Sequence, residues 1–195
     1  MIRLFLLCML FCSVGVAQDL EQKFDLKYGI ELFRYDDQGL HPKKIHYQID
    51  SLSAAELYNK VKFAFEFGSD LIVDEKNKLT KKVKNTSFIL KGRRYFVFCS
   101  EGLFGTLCLD AKYDIEFVFY DGGFSIEPLK FKRGANADNS VWTNVPFDGR
   151  ANYYKKDGTL KKQCTNCPEG IENILDRVVV WGYGFALNVE PPDSM

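Results

Sequence analysis

The chain has 195 residues with 26 basic and 26 acidic side chains, and 46% of its residues are hydrophobic, including 17 phenylalanines and 10 tyrosines. The balanced charge argues against a nucleic-acid-binding protein, because such proteins obtain much of their affinity from lysines and arginines that neutralise phosphates. The length and the aromatic content fit one domain of moderate size with a substantial core.

The first seventeen residues have the pattern of a secretory signal peptide. Arg3 precedes an apolar run over Leu4–Phe11, and Gly15-Val16-Ala17 supplies the small residues of a cleavage site. The run is shorter than the roughly 20 residues that a spanning helix needs. We therefore expect an exported protein, periplasmic or extracellular, with no transmembrane segment after signal cleavage. Lipid attachment at Cys8 or Cys12 is an alternative that the bulky residues before both cysteines disfavour.

The chain divides into four parts. Residues 1–17 form the signal peptide, 18–44 an N-terminal lead-in, 45–185 a single α+β domain and 186–195 a C-terminal tail. The lead-in is weakly patterned, with short extended pieces predicted at 24–28 and 30–33.

The domain is predicted to open with a strand over Ile45–Ile49 and a helix that begins after Ser53. Ser53 and Glu56 form an S-x-x-E capping box, with Leu52 and Leu57 in the positions of a hydrophobic staple. Gly68 is a stop signal, and a second strand is predicted over residues 70–74. The apolar stripe of the helix consists of Leu57, Tyr58, Val61, Ala64 and Phe65.

An antiparallel meander follows a lysine cluster at 81–84, which we interpret as a solvated loop. Turn signals at 92–93, 102–105, 110–112 and 121–123 separate its strands. The predicted strands are Ser87–Leu90, Arg94–Cys99, Thr106–Leu109, Tyr113–Tyr120 and Phe124–Phe131. Alternation in the fourth of these predicts one buried face and one mostly wet face. The buried face would hold Tyr113, Ile115, Phe117 and Phe119, and the wet face Asp114, Glu116, Val118 and Tyr120.

The last third begins with a polar stretch, 134–162, predicted as an extended connection with one turn near 156–159. Pro168 then opens a second helix. Its apolar stripe consists of Ile171, Ile174, Leu175 and Val178. The pattern leaves the end of this helix undefined, because β-branched residues, Gly182 and Gly184 follow.

Two segments stand out in this order of elements: the helix start Ser51-Leu52-Ser53-Ala54-Ala55-Glu56-Leu57-Tyr58, and the hairpin from Tyr113-Asp114-Ile115-Glu116-Phe117 to Asp121-Gly122-Gly123. With these segments, the chain resembles a family of exported Bacteroidetes domains of unknown function whose fold is similar to that of TATA-box-binding protein. The resemblance covers residues 45–131. It implies an α+β fold in which a curved antiparallel sheet carries two helices on one face. It implies no activity and no catalytic residue, and the likeness to TATA-box-binding protein concerns architecture alone.

Four cysteines lie beyond the leader, and an even number in an oxidising compartment indicates disulfides. With a tight turn at 102–105, residues whose numbers sum to 207 oppose each other, so Cys99 faces Cys108 within bonding distance. Cys164 and Cys167 are then left to pair locally. A one-residue slip would separate the first pair, and burial as free thiols is the alternative for both strand cysteines.

The segment from Cys164 to Cys167 is the only motif that suggests redox chemistry. If Asn166 caps the second helix and Glu169 closes a capping box, the positive helix end lowers both thiol pKa values. An envelope thiol-disulfide protein using these two cysteines is therefore the alternative function. The polar loop before the motif argues against a thioredoxin-like unit, and the ligand spacing argues against zinc.

Other catalytic and metal-binding patterns are weak, so we predict no cofactor and no metal. His41 and His46 lack metal-ligand spacing, and no nucleotide-binding or hydrolase motif occurs. Carboxylates near strand ends are possible members of a glycosidase pair, although such groups are usually solvated. They are Asp70, Asp74, Asp110, Asp114 and Glu116.

The leading hypothesis is a non-enzymatic exported module that binds an unknown envelope protein or glycan. The binding surface would be the sheet face that the helices leave uncovered. Glu116, Val118 and Tyr120 are its predicted residues, with Ser125 as a weaker candidate. The alternative is that these side chains are simply the solvated side of an antiparallel sheet.

Overall fold

A computed structural model describes residues 29–67, 78–102, 105–136, 138–147, 153–161 and 166–188. The described residues from 32 to 188 belong to one compact unit. The signal peptide, the predicted piece at 24–28 and the predicted strand at 70–74 lie outside the described residues.

The described elements, in chain order, are β1 (Arg34–Asp36), β2 (Gly39–His41), β3 (Ile45–Gln48), α1 (Ala54–Phe67), β4 (Lys78–Val83), β5 (Ser87–Gly102), β6 (Gly105–Tyr120), β7 (Gly123–Gly134), β8 (Trp142–Val145) and α2 (Cys167–Ala186). Within the described residues, no helix is both long enough and apolar enough to span a membrane.

The main sheet has six antiparallel strands. Its order is β3-β7-β6-β5-β4, and β8 pairs with the distal part of β7. β6 and β7 form a hairpin through the two-residue turn Asp121-Gly122, with Tyr120 opposite Gly123. Gly122 has φ 78°, a conformation that glycine adopts at little cost. The predicted hairpin at 121–123 is therefore confirmed.

Both helices pack on one face of this sheet, where aromatic side chains form the core. The rings of Phe65 and Phe117 are 5.3 Å apart, and those of Tyr58 and Phe119 are 5.6 Å apart. On α2, Gly182 lies so close to Phe117 that an added Cβ would be 3.1 Å from its ring. The α+β architecture with two helices on one face of a curved sheet is thus confirmed.

The start of α1 follows the predicted capping box. The Ser53 backbone N–H donates to Glu56 Oε2 (2.8 Å), and the Glu56 N–H donates to Ser53 Oγ (3.4 Å). Asp121 Oδ1 also accepts the N–H of Ala54 (2.9 Å), which joins the β6–β7 turn to the helix. All residues of the predicted apolar stripe are buried.

The predicted start and stripe of α2 are confirmed, but the predicted cap is wrong. Ile171, Ile174, Leu175 and Val178 are buried, and the helix continues through both glycines to Ala186. Asn166 has φ −104° and ψ 7°, and its side chain makes no capping hydrogen bond. This conformation is not the extended one that an N-cap adopts.

Two predicted turns are wrong, because β5 and β6 are continuous 16-residue strands. Gly92 does not turn the chain; the Tyr113 ring covers it, and a Cβ there would overlap the ring. The segment Asp110-Ala111-Lys112 is not a turn either, because it continues β6: Ala111 and Lys112 pair with β5, and the buried Asp110 binds Arg93.

The lysine cluster at 81–84 is not wholly a loop, since residues to Val83 belong to the edge strand β4. Their exposure agrees with the predicted solvation, and lysines are common on edge strands because they oppose pairing with other chains. β8 interrupts the predicted connection at 134–162, and only Val145 of this strand is buried. The turn near 156–159 is confirmed, because the Lys155 N–H donates to the Thr159 carbonyl (2.8 Å).

The compact unit also includes the hairpin of β1 and β2, which the sequence assigned to the lead-in. The Tyr35 N–H donates to Glu172 Oε1 on α2 (2.6 Å), and the Tyr35 hydroxyl donates to the Pro146 carbonyl (2.8 Å). Leu40 is 1% exposed. These contacts are long-range, so the local pattern of residues 34–41 did not reveal them.

Candidate binding face

The helices cover the aromatic face of the main sheet, and we call its other side the open face. Because strand side chains alternate, the open face takes the residues of even number from Lys112 to Tyr120 on β6. Cross-strand register adds Ser87, Ile89, Lys91 and Arg93 from β5, and Ser125, Glu127, Lys130 and Lys132 from β7.

The residues predicted for binding lie together at one end of the open face. Glu116 and Val118 are half-buried and Tyr120 is 37% exposed. Ser125 is in register with Val118 and His46, but it is 3% exposed, so we leave it out of the contact surface. The Tyr120 ring lies 6.4 Å from the His46 ring.

At the other end of the open face is a cavity of about 200 Å³. We call it the basic concavity. Its lining consists of Lys91, Lys112, Lys130, Lys132, Tyr113 and Asp114. The lysines come from three adjacent strands, and the positions of Lys112 and Lys132 face each other directly.

Sequence reasoning missed this concavity. The sequence pattern predicts Lys112 in a turn, and the predicted strand Phe124–Phe131 includes Lys130 but ends before Lys132. The alternation Lys130-Phe131-Lys132 placed both lysines on one face. Only the register with β6 brings them to Lys112 and Asp114.

Two register shifts between neighbouring strands lie near the concavity. The register between β6 and β7 shifts after Asp114, so Leu129 has no opposite residue and is 43% exposed. The register between β5 and β6 shifts between Arg94 and Phe98. An extra residue bends a strand and increases its twist, and both shifts lie close to the lysines.

A buried carboxylate stabilises the register shift between Arg94 and Phe98 in β5. Asp110, 2% exposed, accepts hydrogen bonds from Arg93 Nε (3.1 Å) and Nη2 (2.8 Å) and from the Phe96 N–H (3.2 Å). Phe96 has φ 56° and a 72% exposed side chain. Such a backbone persists only where its surroundings hold it, and Asp110 supplies that restraint.

An indole ring borders the concavity. Lys112 Nζ lies 3.9 Å from the centroid of the Trp142 ring, and Arg93 Cζ lies 5.5 Å from it. Cations at these distances are attracted to the ring face. Trp142 therefore belongs to the same surface as the lysines, although β8 itself was not predicted.

The concavity has an excess of positive charge. Lys91 Nζ is 3.4 Å from Asp114 Oδ2. Among the described residues, no carboxylate lies within ion-pair distance of Lys112, Lys130 or Lys132. Tyr113 adds no negative charge near neutral pH, because its ordinary pKa is 10 and burial raises that pKa further.

Cys99, Cys108 and Cys167 do not belong to the lining of the concavity. Cys99 and Cys108 are directly opposed and form a disulfide, as the register across the 102–105 hairpin predicted. Cys167 is fully buried and disulfide-bonded. Cys164 is outside the described residues, so the predicted local pair with Cys167 stays a prediction.

Three of the other candidate groups have structural partners, whereas Asp70 and Asp74 lie outside the described residues. His41 Nε2 lies 2.8 Å from Asp36 Oδ2. Asp110 and Asp114, two of the possible glycosidase carboxylates, bind Arg93 and Lys91. Within the described part of the chain, no group of three or more histidine, cysteine, aspartate or glutamate side chains is placed to hold a metal ion.

Fold and open face together define an α+β domain in which both described helices lie on one face of the sheet. Comparison with solved structures places the chain beside a DUF4468 family protein from Bacteroides ovatus, with 11% identity and a TM-score of 0.57 over 88% of this chain and 98% of that one. A TBP-like protein from Parabacteroides distasonis is 15% identical, with a TM-score of 0.46 over 75% of this chain and 92% of that one.

No family model matches the sequence, and no curated protein matches it. At 11% identity the likeness to the DUF4468 family protein establishes the fold alone. It agrees with the resemblance to exported Bacteroidetes domains of unknown function.

Proposed function

We propose that the protein is an exported, non-enzymatic binding module that engages a component of the cell envelope, a protein or a glycan, through its open face. One observation carries the proposal: both helices pack on the aromatic face of the sheet, while the opposite face presents charged and aromatic side chains around a concavity. Polar and aromatic groups around a concave surface are typical of binding sites.

Export is supported by the leader pattern of residues 1–17. Mass spectrometry of the protein recovered from an envelope or secreted fraction should find Gln18 as the N-terminus. Recovery of the chain with Met1 retained would contradict export.

A role in binding rather than catalysis is supported by two of the candidate glycosidase carboxylates. Asp110 and Asp114 are neutralised by basic partners, whereas a glycosidase needs one free carboxyl acid and one free carboxylate.

Retention in the envelope tests the open face. Val118→Asp places a charge on this face, and Tyr120→Ala removes an exposed ring. Asn59→Asp on the solvent side of α1 is the control for added charge. We expect the first two variants to be washed from the envelope fraction at lower salt than the wild-type chain, and the control to behave like the wild-type chain.

Equal retention of all three variants, each with an unchanged near-ultraviolet circular dichroism spectrum, would mean that the open face is only the solvated side of the sheet.

The alternative function is thiol-disulfide exchange through Cys164 and Cys167. The observation in its favour is that Cys167 begins α2 and is disulfide-bonded. Its complete burial and the missing Asn166 cap argue against it, because reactive thiols are partly exposed. A disulfide-reductase assay decides the matter: turnover lost in Cys164→Ser would favour the alternative, and no turnover in the wild-type chain would reject it.

A further inference from the structure

The basic concavity brings like charges together. Lys112 on β6 faces Arg93 on one side and Lys132 on the other in the cross-strand register. Like charges directly opposite each other destabilise a sheet. Arg93 is partly neutralised by Asp110, whereas no described carboxylate lies within ion-pair distance of Lys112 or Lys132.

An arrangement that violates a local rule of sheet stability is expected where function requires it. An anionic group placed between these side chains would relieve the repulsion. Lysine ammonium groups form charge-assisted hydrogen bonds with carboxylate, sulfate and phosphate oxygens.

Asp114 narrows the choice of anion. Its carboxylate lies among the lysines and is 3.4 Å from Lys91. A bare anion would meet repulsion from it, whereas a ligand that also carries hydroxyl groups can donate hydrogen bonds to it. A sugar with an acidic substituent satisfies both demands.

The volume of the concavity and the residues at its rim also favour a sugar ligand. A volume of about 200 Å³ is below the roughly 300 to 1,000 Å³ of ordinary small-molecule pockets, so it suits a single sugar ring rather than a large ligand. Trp142 and the exposed Asn144 of β8 add an aromatic ring and an amide at the rim. A concave surface is also unsuited to a flat lipid bilayer.

We propose that the basic concavity binds an acidic sugar unit of a glycan, with Lys112, Lys130 and Lys132 on the anionic group and Asp114 on a hydroxyl. This inference rests on the proposed function and names the ligand class of the same open face.

Amide chemical-shift titration of the purified chain at low salt tests the inference. The acidic probes are trigalacturonate and a chondroitin sulfate tetrasaccharide, and the neutral control is galactotriose. We expect at least one acidic probe to shift the amides of residues 91, 112, 114, 130 and 132, and galactotriose to leave them unchanged. Equal binding of galactotriose, or no binding of either acidic probe, would overturn the inference.

Lysine variants test the assignment of the contacts. A hydrogen bond to a charged group contributes at least about tenfold in affinity. We therefore expect Lys112→Gln and Lys132→Gln each to lower the affinity for the acidic probe by roughly tenfold. Lys156→Gln, at an exposed turn, is the control and should have no effect. Unchanged affinity in the first two variants would overturn the proposed contacts.

Two further probes distinguish the ligand class. Inorganic phosphate or a single-stranded DNA oligomer that binds the same residues as tightly as the acidic sugars would overturn the sugar assignment. If no probe binds but Val118→Asp still releases the chain from the envelope, the inference fails and the proposed function stands. If no probe binds and Val118→Asp is retained in the envelope like the wild-type chain, both the inference and the proposed function are wrong.

Discussion

At the scale of single residues, Asp110 is the buried charge on which the shape of the open face depends. Its carboxylate holds Arg93 and the backbone of Phe96. Removing this carboxylate would take away the partner of a mostly buried guanidinium group and of a backbone N–H. The same residue therefore fixes the irregularity in β5 and the position of an arginine beside the concavity.

We expect Asp110→Ala to lower the free energy of unfolding by about 3 to 5 kcal/mol. Chemical denaturation measures this. Asp114→Asn is the control, because its ion pair with Lys91 is partly exposed and pairs of that kind contribute about 0 to 1 kcal/mol. Similar losses in the two variants would contradict the structural role of Asp110.

At the scale of elements, α1 is fixed at its start by Ser53 and along its length by its buried stripe. Leu57 is fully buried, whereas Phe63 on the same helix is 58% exposed. Leu57→Ala should cost about 2 to 5 kcal/mol, and Ser53→Ala about 1 kcal/mol through loss of the cap. Phe63→Ala is the control and should change stability little; a silent Leu57→Ala would contradict the assigned core face.

Glu66 links α1 to the edge strand β4 through an ion pair whose contribution to stability depends on pH. It accepts hydrogen bonds from Lys62 (2.9 Å) and Lys82, which hold its pKa below the ordinary value of 4.5. A carboxyl group whose pKa is lower in the folded state than in the unfolded state stabilises the fold. This contribution is complete at a pH above the pKa of the unfolded state, and it is lost as the pH falls through the pKa of the folded state.

Glu66→Gln should therefore be less stable than the wild-type chain at pH 7, by up to about 1 kcal/mol. The difference should shrink as the pH falls below 4.5. Urea denaturation at pH 7 and at pH 3 measures it. A difference that grows on acidification would contradict the assignment.

The long β5–β6 hairpin carries the disulfide between Cys99 and Cys108. Peptide mapping of the exported protein without reductant should recover these two cysteines in one linked pair. The same digest after reduction is the control. A link from Cys99 to Cys164, or four free thiols, would contradict the register of this hairpin.

At the scale of the whole molecule, the sequence predicts what local chemistry specifies. The capping box at Ser53, the stripes of both helices and the Asp121-Gly122 turn each depend on residues within a few positions of one another, and all are confirmed. The predicted turn at Gly92 is wrong because the glycine is explained by a residue far away in the sequence: it makes room for the ring of Tyr113 on the next strand.

The candidate site was predicted only in part for the same reason. Alternation in β6 placed Glu116, Val118 and Tyr120 on one face. The basic concavity requires the register of three strands, and its shape requires the unpaired Leu129 and the buried Asp110. None of these follows from a single strand's pattern.

The central claim is that the open face, rather than the helical face, meets the partner. The most direct measurement is photo-crosslinking in intact cells with a benzophenone amino acid at position 118 or, in a separate variant, at position 59 on the exposed side of α1. We predict that position 118 gives a slower-migrating crosslinked product that added acidic glycan diminishes, and that position 59 gives none. Crosslinking from position 59 with none from position 118 would contradict the claim.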